Sequence, residues 1–245
     1  IKNVIVITAG FAEAGHSGAA LERKMLEIAR SYNVRVLGPN CLGLIRPTLG
    51  LNATFAKVTA NAGNLALVSQ SGAMCSAVLD WAKANGVGFS TVISLGGTAD
   101  VDFGEILDYL IYDSRTHYIL LYVEGIRNAR RFMSALRSAA RIKPIILLKA
   151  GRHAAGSLAV QTHSGMIAGS DSVFDAAVRR AGVVRVKNVG QLFYASKALA
   201  SKFRPQGKRL AIITNGGGPG AMAADRAGDL DIPLAQLNMD TVQKL

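Results

Sequence analysis

Short apolar runs rich in β-branched residues alternate with amphipathic stretches along most of this 245-residue chain, and this alternation constrains the fold more than any other feature. It predicts strands at residues 65–69, 88–94, 118–123 and 144–149, and helices at 72–84, 103–112, 128–141, 170–181 and 190–203. Strands that alternate with helices form a parallel sheet with helices on both faces. We therefore predict an α/β fold with doubly wound parallel sheets.

Shorter segments precede and follow this series. A strand at 4–8, a helix at 18–31 and a strand at 34–37 come first, and residues 46–62, which lack sustained periodicity, are predicted to be a linker. After the break at 205–207, a strand at 209–214 opens a further strand–loop–helix unit. We expect a partial domain with its linker at 1–61, a complete domain at 62–204 and the start of another at 205–245, with segments outside this sequence completing the flanking parts.

Composition narrows the class of protein. Half of the residues are hydrophobic and 18% are charged, which argues against a disordered chain. The longest apolar runs, such as 145–148 and 210–213, are far shorter than the ~20 residues that span a bilayer. Two cysteines supply neither a disulfide framework nor a paired-cysteine metal site. With no signal peptide at its start, the sequence indicates a cytoplasmic protein with reduced thiols, no membrane contact and no bound metal.

The net charge of +12 raises the question of nucleic-acid binding. The basic residues are scattered singly or in pairs over predicted helix faces, as at 127–141, without interleaved aromatic residues that would stack on bases. This distribution favours a solvated helix surface and predicts no nucleic-acid partner. A small anionic ligand would also suit a basic chain.

Ligands of open α/β sheets bind at the carboxyl ends of the strands, and the loop after residues 65–69 passes directly into a helix. In the segment 69–72, free backbone N–H groups and the positive end of the helix dipole would attract an anion. A plain helix N-cap by Ser69 or Ser71 explains the same residues equally well. Ser69 stands where the nucleophile elbow of a hydrolase requires glycine, so Ser71 is not expected to form an acyl-enzyme.

A second loop, 215–221, is rich in glycine and precedes an alanine-rich helix. Glycines remove the side chains that would keep a phosphate from the backbone, and the helix again supplies its dipole. A dinucleotide fingerprint is not supported, because no acidic residue closes a second strand at the required place. A bare tight turn is the simpler alternative, but four glycines among five residues favour the anion site.

His163 lies in a stretch rich in glycine, alanine and serine, 150–169, which is predicted to be a long loop and therefore functional. Small neighbours would leave its imidazole free to accept and donate phosphate. Glu124 follows the strand 118–123 at the same edge of the sheet, so its carboxylate could orient one ring nitrogen and leave the other nucleophilic. A solvated loop acid is the alternative for Glu124. The histidines 16, 117 and 153 are interpreted as surface or hydrogen-bonded residues.

Five segments, in this order, resemble succinyl-CoA synthetase and the ADP-forming acetyl-CoA synthetases: Gly38-Pro39-Asn40-Cys41-Leu42-Gly43, Ser69-Gln70-Ser71-Gly72, Glu124-Gly125, Thr162-His163-Ser164-Gly165 and Asn215-Gly216-Gly217-Gly218. The resemblance implies that residues 1–45 are the second half of a CoA-binding Rossmann domain. A flavodoxin-like succinyl-CoA ligase domain would follow, and another ligase domain would begin at Lys208.

The resemblance also implies the site. His163 would be the phosphohistidine and Glu124 its orienting acid. Two helix N-termini would hold the phosphate, with contributions from Ser69, Ser71, Gly72, Gly165, Gly217 and Gly218. The loop that contains Gly38, Pro39, Asn40, Cys41 and Gly43 would contact CoA near its reactive end.

By this resemblance the chain is part of an enzyme that interconverts acid, CoA and ATP with acyl-CoA, ADP and phosphate through an acyl phosphate. ADP, ATP and Mg²⁺ would bind an ATP-grasp module that this sequence lacks, and we expect an oligomer. The chain also resembles, especially at 105–152, the synthetase-like region of bacterial protein lysine acetyltransferases fused to a GNAT domain. The alternative function is therefore an acyl-CoA sensor that controls a GNAT domain elsewhere in the full chain. The sequence identifies neither the acid nor the preference for ADP or GDP.

Overall fold

The computed structural model describes residues 1–164, 170–201 and 206–244, with the side chains of 162–164 outside this description. The chain divides into two units, residues 1–201 and 202–245. The first unit begins with a two-stranded parallel sheet and a helix: β1 (Asn3–Ile5), α1 (His16–Ser31) and β2 (Arg35–Leu37). A 3-10 helix, Ala12–Ala14, precedes α1.

A larger sheet and its helices make up the rest of the first unit. Its strands are β3 (Gly43–Arg46), β4 (Leu51–Thr54), β5 (Ala62–Ser69), β6 (Phe89–Ser94), β7 (Tyr118–Val123), β8 (Ile145–Lys149) and β9 (Val184–Val186). Its helices are α2 (Gly72–Ala84), α3 (Phe103–Tyr112), α4 (Ala129–Ala140), α5 (Ala154–Ser164), α6 (Asp171–Arg180) and α7 (Val189–Ala200).

The seven strands are ordered β4-β3-β6-β5-β7-β8-β9. Strands β5 to β9 run parallel, whereas β3 is antiparallel to both β4 and β6. Helices α3, α4 and α6 cover one face, around Phe103, Phe132 and Val178. Helices α2 and α7 cover the other face, around Leu79 and Leu192. The predicted α/β fold with a doubly wound, mainly parallel sheet is confirmed.

The predicted linker at 46–62 is wrong for its first half, because residues 43–54 form a hairpin on the edge of the large sheet. Gly43 pairs with Thr54 and Arg46 with Leu51, and a turn that ends at Gly50 joins the two strands. The outer strand β4, Leu51-Asn52-Ala53-Thr54, has exposed or half-buried residues throughout. An edge strand this short and this exposed carries no sustained hydrophobic pattern, so periodicity gave no signal there.

Two further expectations differ from the structure. Residues 154–164, predicted as part of a loop, form α5, since alanine is the strongest helix former and outweighs the glycine and serine around it. Strand β9, only three residues long, was not predicted.

The second unit contains α8 (Gly217–Asp229) and α9 (Met239–Lys244) within its described residues 206–244. The predicted strand at 209–214 is not formed there: the run makes one isolated parallel bridge, between Leu210 and Leu234. Ile213, within this run, is 93% exposed. An apolar run becomes a strand only when neighbouring strands satisfy its backbone groups, and the described part of this unit supplies one bridge.

Candidate active-site cleft

The loop 38–43, which follows β2, is held by backbone hydrogen bonds on both sides. Asn40 N donates to the carbonyl oxygen of Thr8 at 3.0 Å, and Gly97 N donates to that of Pro39 at 2.8 Å. Gly38 has a φ of 102°, and a Cβ added there would lie 2.4 Å from the Val6 carbonyl oxygen. The glycine is therefore required both by its backbone conformation and by the close approach of β1's extension.

Cys41 lies within this loop but is not a reactive thiol. Its side chain is 2% exposed and its Sγ donates to the Val6 carbonyl oxygen at 3.4 Å. Burial raises the pKa of the Cys41 thiol, since the charged thiolate would lose its hydration. Cys41 can therefore form a wall of a binding site without taking part in nucleophilic chemistry.

The turn 69–72 joins β5 to α2 through serine hydroxyl groups. Ser71 is the N-cap of α2, and its Oγ accepts a hydrogen bond from Met74 N at 3.2 Å. Ser69 Oγ donates to the Ser71 carbonyl oxygen at 2.8 Å and accepts from Ser71 N at 3.1 Å. Of the two readings left open by the sequence, the N-cap is present. Anion binding at the remaining amides of this turn stays a prediction.

Gln70, within the same turn, ties α2 to the loop after β7. Its Oε1 accepts from Glu124 N at 2.6 Å and from Gly125 N at 3.1 Å, while its Nε2 donates to the Gly125 carbonyl oxygen at 2.8 Å. Three bonds from one buried amide fix the backbone that carries Glu124. No role for Gln70 is apparent from sequence patterns, because its partners are 54 and 55 residues further along the chain.

Glu124 is 5% exposed at the carboxyl end of β7 and is not the solvated loop acid of the alternative interpretation. Its charge acts on its surroundings: burial, and then the negative charge of Glu124, raise the pKa of Tyr122. A carboxylate held in such a place can orient a cationic or hydrogen-bonding group close to it.

A cleft of about 370 Å³ brings these segments together. It is lined by Asn40 and Cys41 from the first loop, by Ser71 and Gly72 at the start of α2, and by Glu124. Ser69, Gly38, Pro39 and Gly43 do not line it and instead shape the segments that do. Among the described residues that line the cleft, the charged side chains are Glu13 and Glu124, so an anion there would depend on backbone N–H groups.

Glu13 differs from Glu124 because it is engaged in local structure. Its Oε1 accepts from Gly10 N at 2.7 Å and from Phe11 N at 3.2 Å. These bonds fix the turn that leads into the 3-10 helix Ala12–Ala14 and α1. Glu13 is therefore a structural wall of the cleft.

His163 lies in the last turn of α5, not in a loop as expected. Helix α5 lies against the 3-10 helix Ala12–Ala14, whose Glu13 lines the cleft. The helix that carries the histidine is thus a neighbour of the cleft. The side chain of His163 and all of Gly165 lie outside the described residues.

The glycine-rich loop of the second unit begins α8. Gly216 is the N-cap and has no side chain to accept from the first amides of the helix. A Cβ added at Gly217 or Gly218 would meet nothing within 4 Å. The first turn of α8 is thus free of side chains on the side where an anion would approach.

Residues 62–199 match the model of the succinyl-CoA ligase-like flavodoxin domain family. The chain belongs to this family. The resemblance read from five short segments is confirmed at the level of family. Within the described part of the chain, no helix is long and apolar enough to cross a membrane.

Relatives of this ligase family cover almost the whole chain. Acetate–CoA ligase [ADP-forming] I of Archaeoglobus fulgidus is 46% identical over 100% of this chain and 36% of its own length. The alpha subunit of acetate–CoA ligase [ADP-forming] I of Pyrococcus furiosus is 42% identical over 93% of this chain and 49% of its own length. The chain therefore spans less than half of the length of these two relatives.

A solved structure is similar to this chain over nearly its whole length. The dinucleotide-forming acetyl-coenzyme A synthetase 1 of Ca. Korarchaeum cryptofilum, in complex with phosphate and ADP, has a TM-score of 0.91 and 37% sequence identity. The match covers 99% of this chain and 52% of that protein.

Proposed function

We propose that the chain is the CoA- and phosphate-handling part of an ADP-forming acyl-CoA synthetase. The observation that carries the proposal is the cleft itself, in which the loop 38–43, the start of α2 and Glu124 share one cavity although more than 80 residues separate the first segment from the last. These are three of the five segments on which the resemblance rests. The relatives named as ADP-forming acetate–CoA ligases support it further.

The proposed reaction has three steps. Phosphate attacks the thioester carbon of acyl-CoA, forming an acyl phosphate and releasing the CoA thiol. A nitrogen of His163 then takes the phosphoryl group, and the carboxylate leaves. The phosphohistidine passes the group to ADP on a separate ATP-grasp domain or subunit, which would also hold Mg²⁺. The loop 38–43 would contact CoA, and amides at the starts of α2 and α8 would bind the phosphoryl oxygens.

The role of Glu124 follows from its burial. A carboxylate fixed beside an imidazole accepts a hydrogen bond from one ring nitrogen, stabilises positive charge on the ring and leaves the other nitrogen to act as nucleophile. Gln70 supports this role by fixing the Glu124 and Gly125 amides. The domain bounds 1–61, 62–204 and 205–245, the cytoplasmic location and an oligomeric assembly remain part of this proposal, and the acid is not specified.

The test is transfer of labelled phosphate to the complete protein. With acyl-CoA and labelled phosphate, the wild type should take up label that is lost in mild acid and stable in alkali, as a phosphoramidate is. His163→Asn should take up none, whereas His153→Asn, which changes an exposed histidine one residue before the same helix, should label normally. Full acyl-CoA synthesis by His163→Asn would contradict the phosphohistidine.

Glu124→Gln tests the orienting acid. The amide still forms hydrogen bonds but brings no negative charge, so phosphorylation should slow by roughly 100-fold with the fold intact. Glu13→Gln is the matched control: it changes the other carboxylate of the cleft, which holds a turn instead, and should have a small effect on the rate. Equal effects of the two variants would remove the specific role of Glu124.

The same experiment separates the proposal from the acyl-CoA sensor of a GNAT acetyltransferase. A sensor would bind acyl-CoA tightly, yet the wild-type protein would take up no label in the presence of an ATP-grasp partner. That outcome would replace the synthetase by the sensor.

A further inference from the structure

A second cavity, of about 380 Å³, lies between α4 and α6, and we call it the Lys149 pocket. Its apolar walls include Ile126, Phe132, Met133, Val173 and Phe174. Among the described residues that line it, Lys149 is the one with a charged side chain. None of the residues that line the Lys149 pocket lines the cleft. A volume of this size holds a small organic molecule.

Lys149 is the unusual member of this pocket. It is 4% exposed at the end of β8, and its Nζ donates to the carbonyl oxygens of Ala150 at 2.9 Å and Gly151 at 3.4 Å. An ammonium group has three donors. Within the described part of the chain, two of them have acceptors, which leaves one donor in a cavity with largely apolar walls. A buried polar group without a partner is costly, so this donor favours a ligand that accepts a hydrogen bond.

Among the described residues, no carboxylate forms an ion pair with Lys149. Asp171, whose charge acts on Lys149, forms an ion pair with Arg185, and Asp175 contacts Arg185 at 3.1 Å and Arg179 at 2.8 Å. Besides its two carbonyl acceptors, Lys149 contacts the ring of Phe174, whose centroid lies 5.4 Å from Nζ. Burial lowers the pKa of Lys149, while Asp171 raises it and Arg185 lowers it. An external anion would compensate the buried ammonium group.

The start of α6 adds to the attraction for an anion. Ser170, which lines the pocket, is the N-cap of α6 but makes no side-chain bond to the first amides of the helix. Its hydroxyl group instead contacts that of Ser172 at 3.0 Å. The positive end of the helix therefore faces the same cavity as the lysine.

We propose that the Lys149 pocket binds a small carboxylic acid with an apolar tail, its carboxylate on Lys149 and its tail among Phe132, Met133 and Phe174. The carboxylate would accept a hydrogen bond from the third N–H of Lys149, and the apolar side chains would cover the rest of the molecule. This site is separate from the cleft and touches it through one peptide, since Glu124 lines the cleft and Gly125 lines the pocket. The proposal does not depend on the phosphohistidine.

The test is binding of benzoate to the 245-residue chain, measured by calorimetry or ligand-observed NMR, with benzamide as the neutral probe of the same shape. Benzoate should bind at least about tenfold more tightly than benzamide, because a charge-assisted hydrogen bond is roughly twice as strong as a neutral one. Lys149→Met replaces the lysine by an apolar side chain of similar length and should remove this preference. No measurable benzoate binding, or equal binding of the two probes to the wild type, would overturn the proposal.

Two further variants guard against a general loss of folding. Val173→Trp changes a residue that is 68% exposed at the mouth of the pocket, so it should leave the fold intact and weaken both probes by obstructing the entrance. Lys143→Met removes another buried lysine that donates to backbone carbonyls, those of Leu110 and Asp113, but lines none of the pocket. It should retain benzoate affinity. Loss of affinity in Lys143→Met equal to that in Lys149→Met, or unchanged affinity in Val173→Trp, would argue against this site.

Discussion

Helices α2 and α8 both begin at glycine, but their first turns are built in opposite ways. At α2 the Ser71 hydroxyl group already accepts from Met74 N, and a Cβ added at Gly72 would lie 3.3 Å from Leu42 Cβ. At α8 no side chain caps the helix, and additions at Gly217 or Gly218 would meet nothing within 4 Å. One N-terminus is closed by its own chain and the other is open.

Two helices of equal length can therefore differ in how readily an anion reaches their N-termini. The free N–H groups at a helix start attract an anion. At α2 the third amide, that of Met74, is bonded to Ser71 Oγ, and at α8 the third residue is Pro219, which has no N–H. The two starts therefore differ in the space around their free amides and not in the number of those amides. We therefore expect α2 to act mainly as a wall that is held by the loop 38–43 and Gln70. We expect phosphate to bind more tightly at the start of α8 than at the start of α2.

The largest effect is expected at Gly43, the last residue of the loop 38–43. Gly43 has a φ of 111°, and a Cβ there would lie 2.0 Å from the Ala53 carbonyl oxygen in the paired strand β4. Gly43→Ala should reduce the free energy of unfolding by about 3 kcal/mol or more, through strain and a clash with backbone that cannot move aside. Urea unfolding of the 245-residue chain measures it.

Gly50→Ala is the matched control in the same hairpin. Gly50 has a φ of 63°, but a Cβ there would meet nothing within 4 Å. Its substitution should therefore show only the cost of the left-handed conformation, about 1 kcal/mol. Equal losses at the two positions would mean that the close contact at Gly43 relaxes freely, and that the loop 38–43 is less rigid than we infer.

The open helix supplies the next prediction. Gly218→Val places a branched side chain on the first turn of α8, where an anion would approach, and should weaken binding of inorganic phosphate at least tenfold, or about 1.4 kcal/mol. Stability should change little, because nothing lies within 4 Å of the added Cβ. Gly228→Val, at the other end of the same helix and also in open space, should leave phosphate affinity unchanged. Similar losses in both variants would point to a change in the helix as a whole.

Ser71→Ala separates capping from anion binding at α2. Loss of the N-cap should reduce the free energy of unfolding by about 1 kcal/mol while phosphate affinity changes less than about threefold. Asn188→Ala removes the matching cap of α7, whose Oδ1 accepts from Gln191 N at 2.9 Å, and should cost a similar amount. A tenfold loss of phosphate affinity with no loss of stability would assign the Ser71 hydroxyl group to the anion.

Local patterns predicted most of the fold because most of its elements carry strong periodicity. The bounds of α2, α3 and β7 agree with the prediction residue for residue, since each is buried on a regular face and ends at a turn residue. The edge strand β4 and the helix α5 were missed for different reasons. The first has only four residues and is exposed at the sheet edge, and the second is rich in alanine, glycine and serine, which resemble a loop.

The cleft shows a different limit of sequence reasoning. Short motifs pointed to three of the segments that line the cleft, because strand ends gather at one edge of a parallel sheet. They did not predict Gln70, whose function appears only when β5 and β7 lie side by side. They left open whether Ser71 caps α2 or binds an anion, since an N-cap and an anion site require the same residues. Long-range hydrogen bonds of this kind leave no periodic pattern in the chain.

The smallest effect is expected at the first residues of α2 and α8. Gly72 and Gly217 both occupy the first position of their helices, and alanine is favoured over glycine in helices by up to about 1 kcal/mol. In the open space at α8, Gly217→Ala should realise most of this gain. At α2, Gly72→Ala should realise little, because the contact with Leu42 Cβ at 3.3 Å requires a small shift of a packed side chain. Hydrogen exchange of the amides within each helix measures the change locally, and so avoids the global unfolding of two separate units. Slower exchange in α8 together with unchanged exchange in α2 would support an open and a closed N-terminus. Equal slowing in both helices would show that the Leu42 contact does not restrict the start of α2, and the two helix ends would then be equally accessible to phosphate.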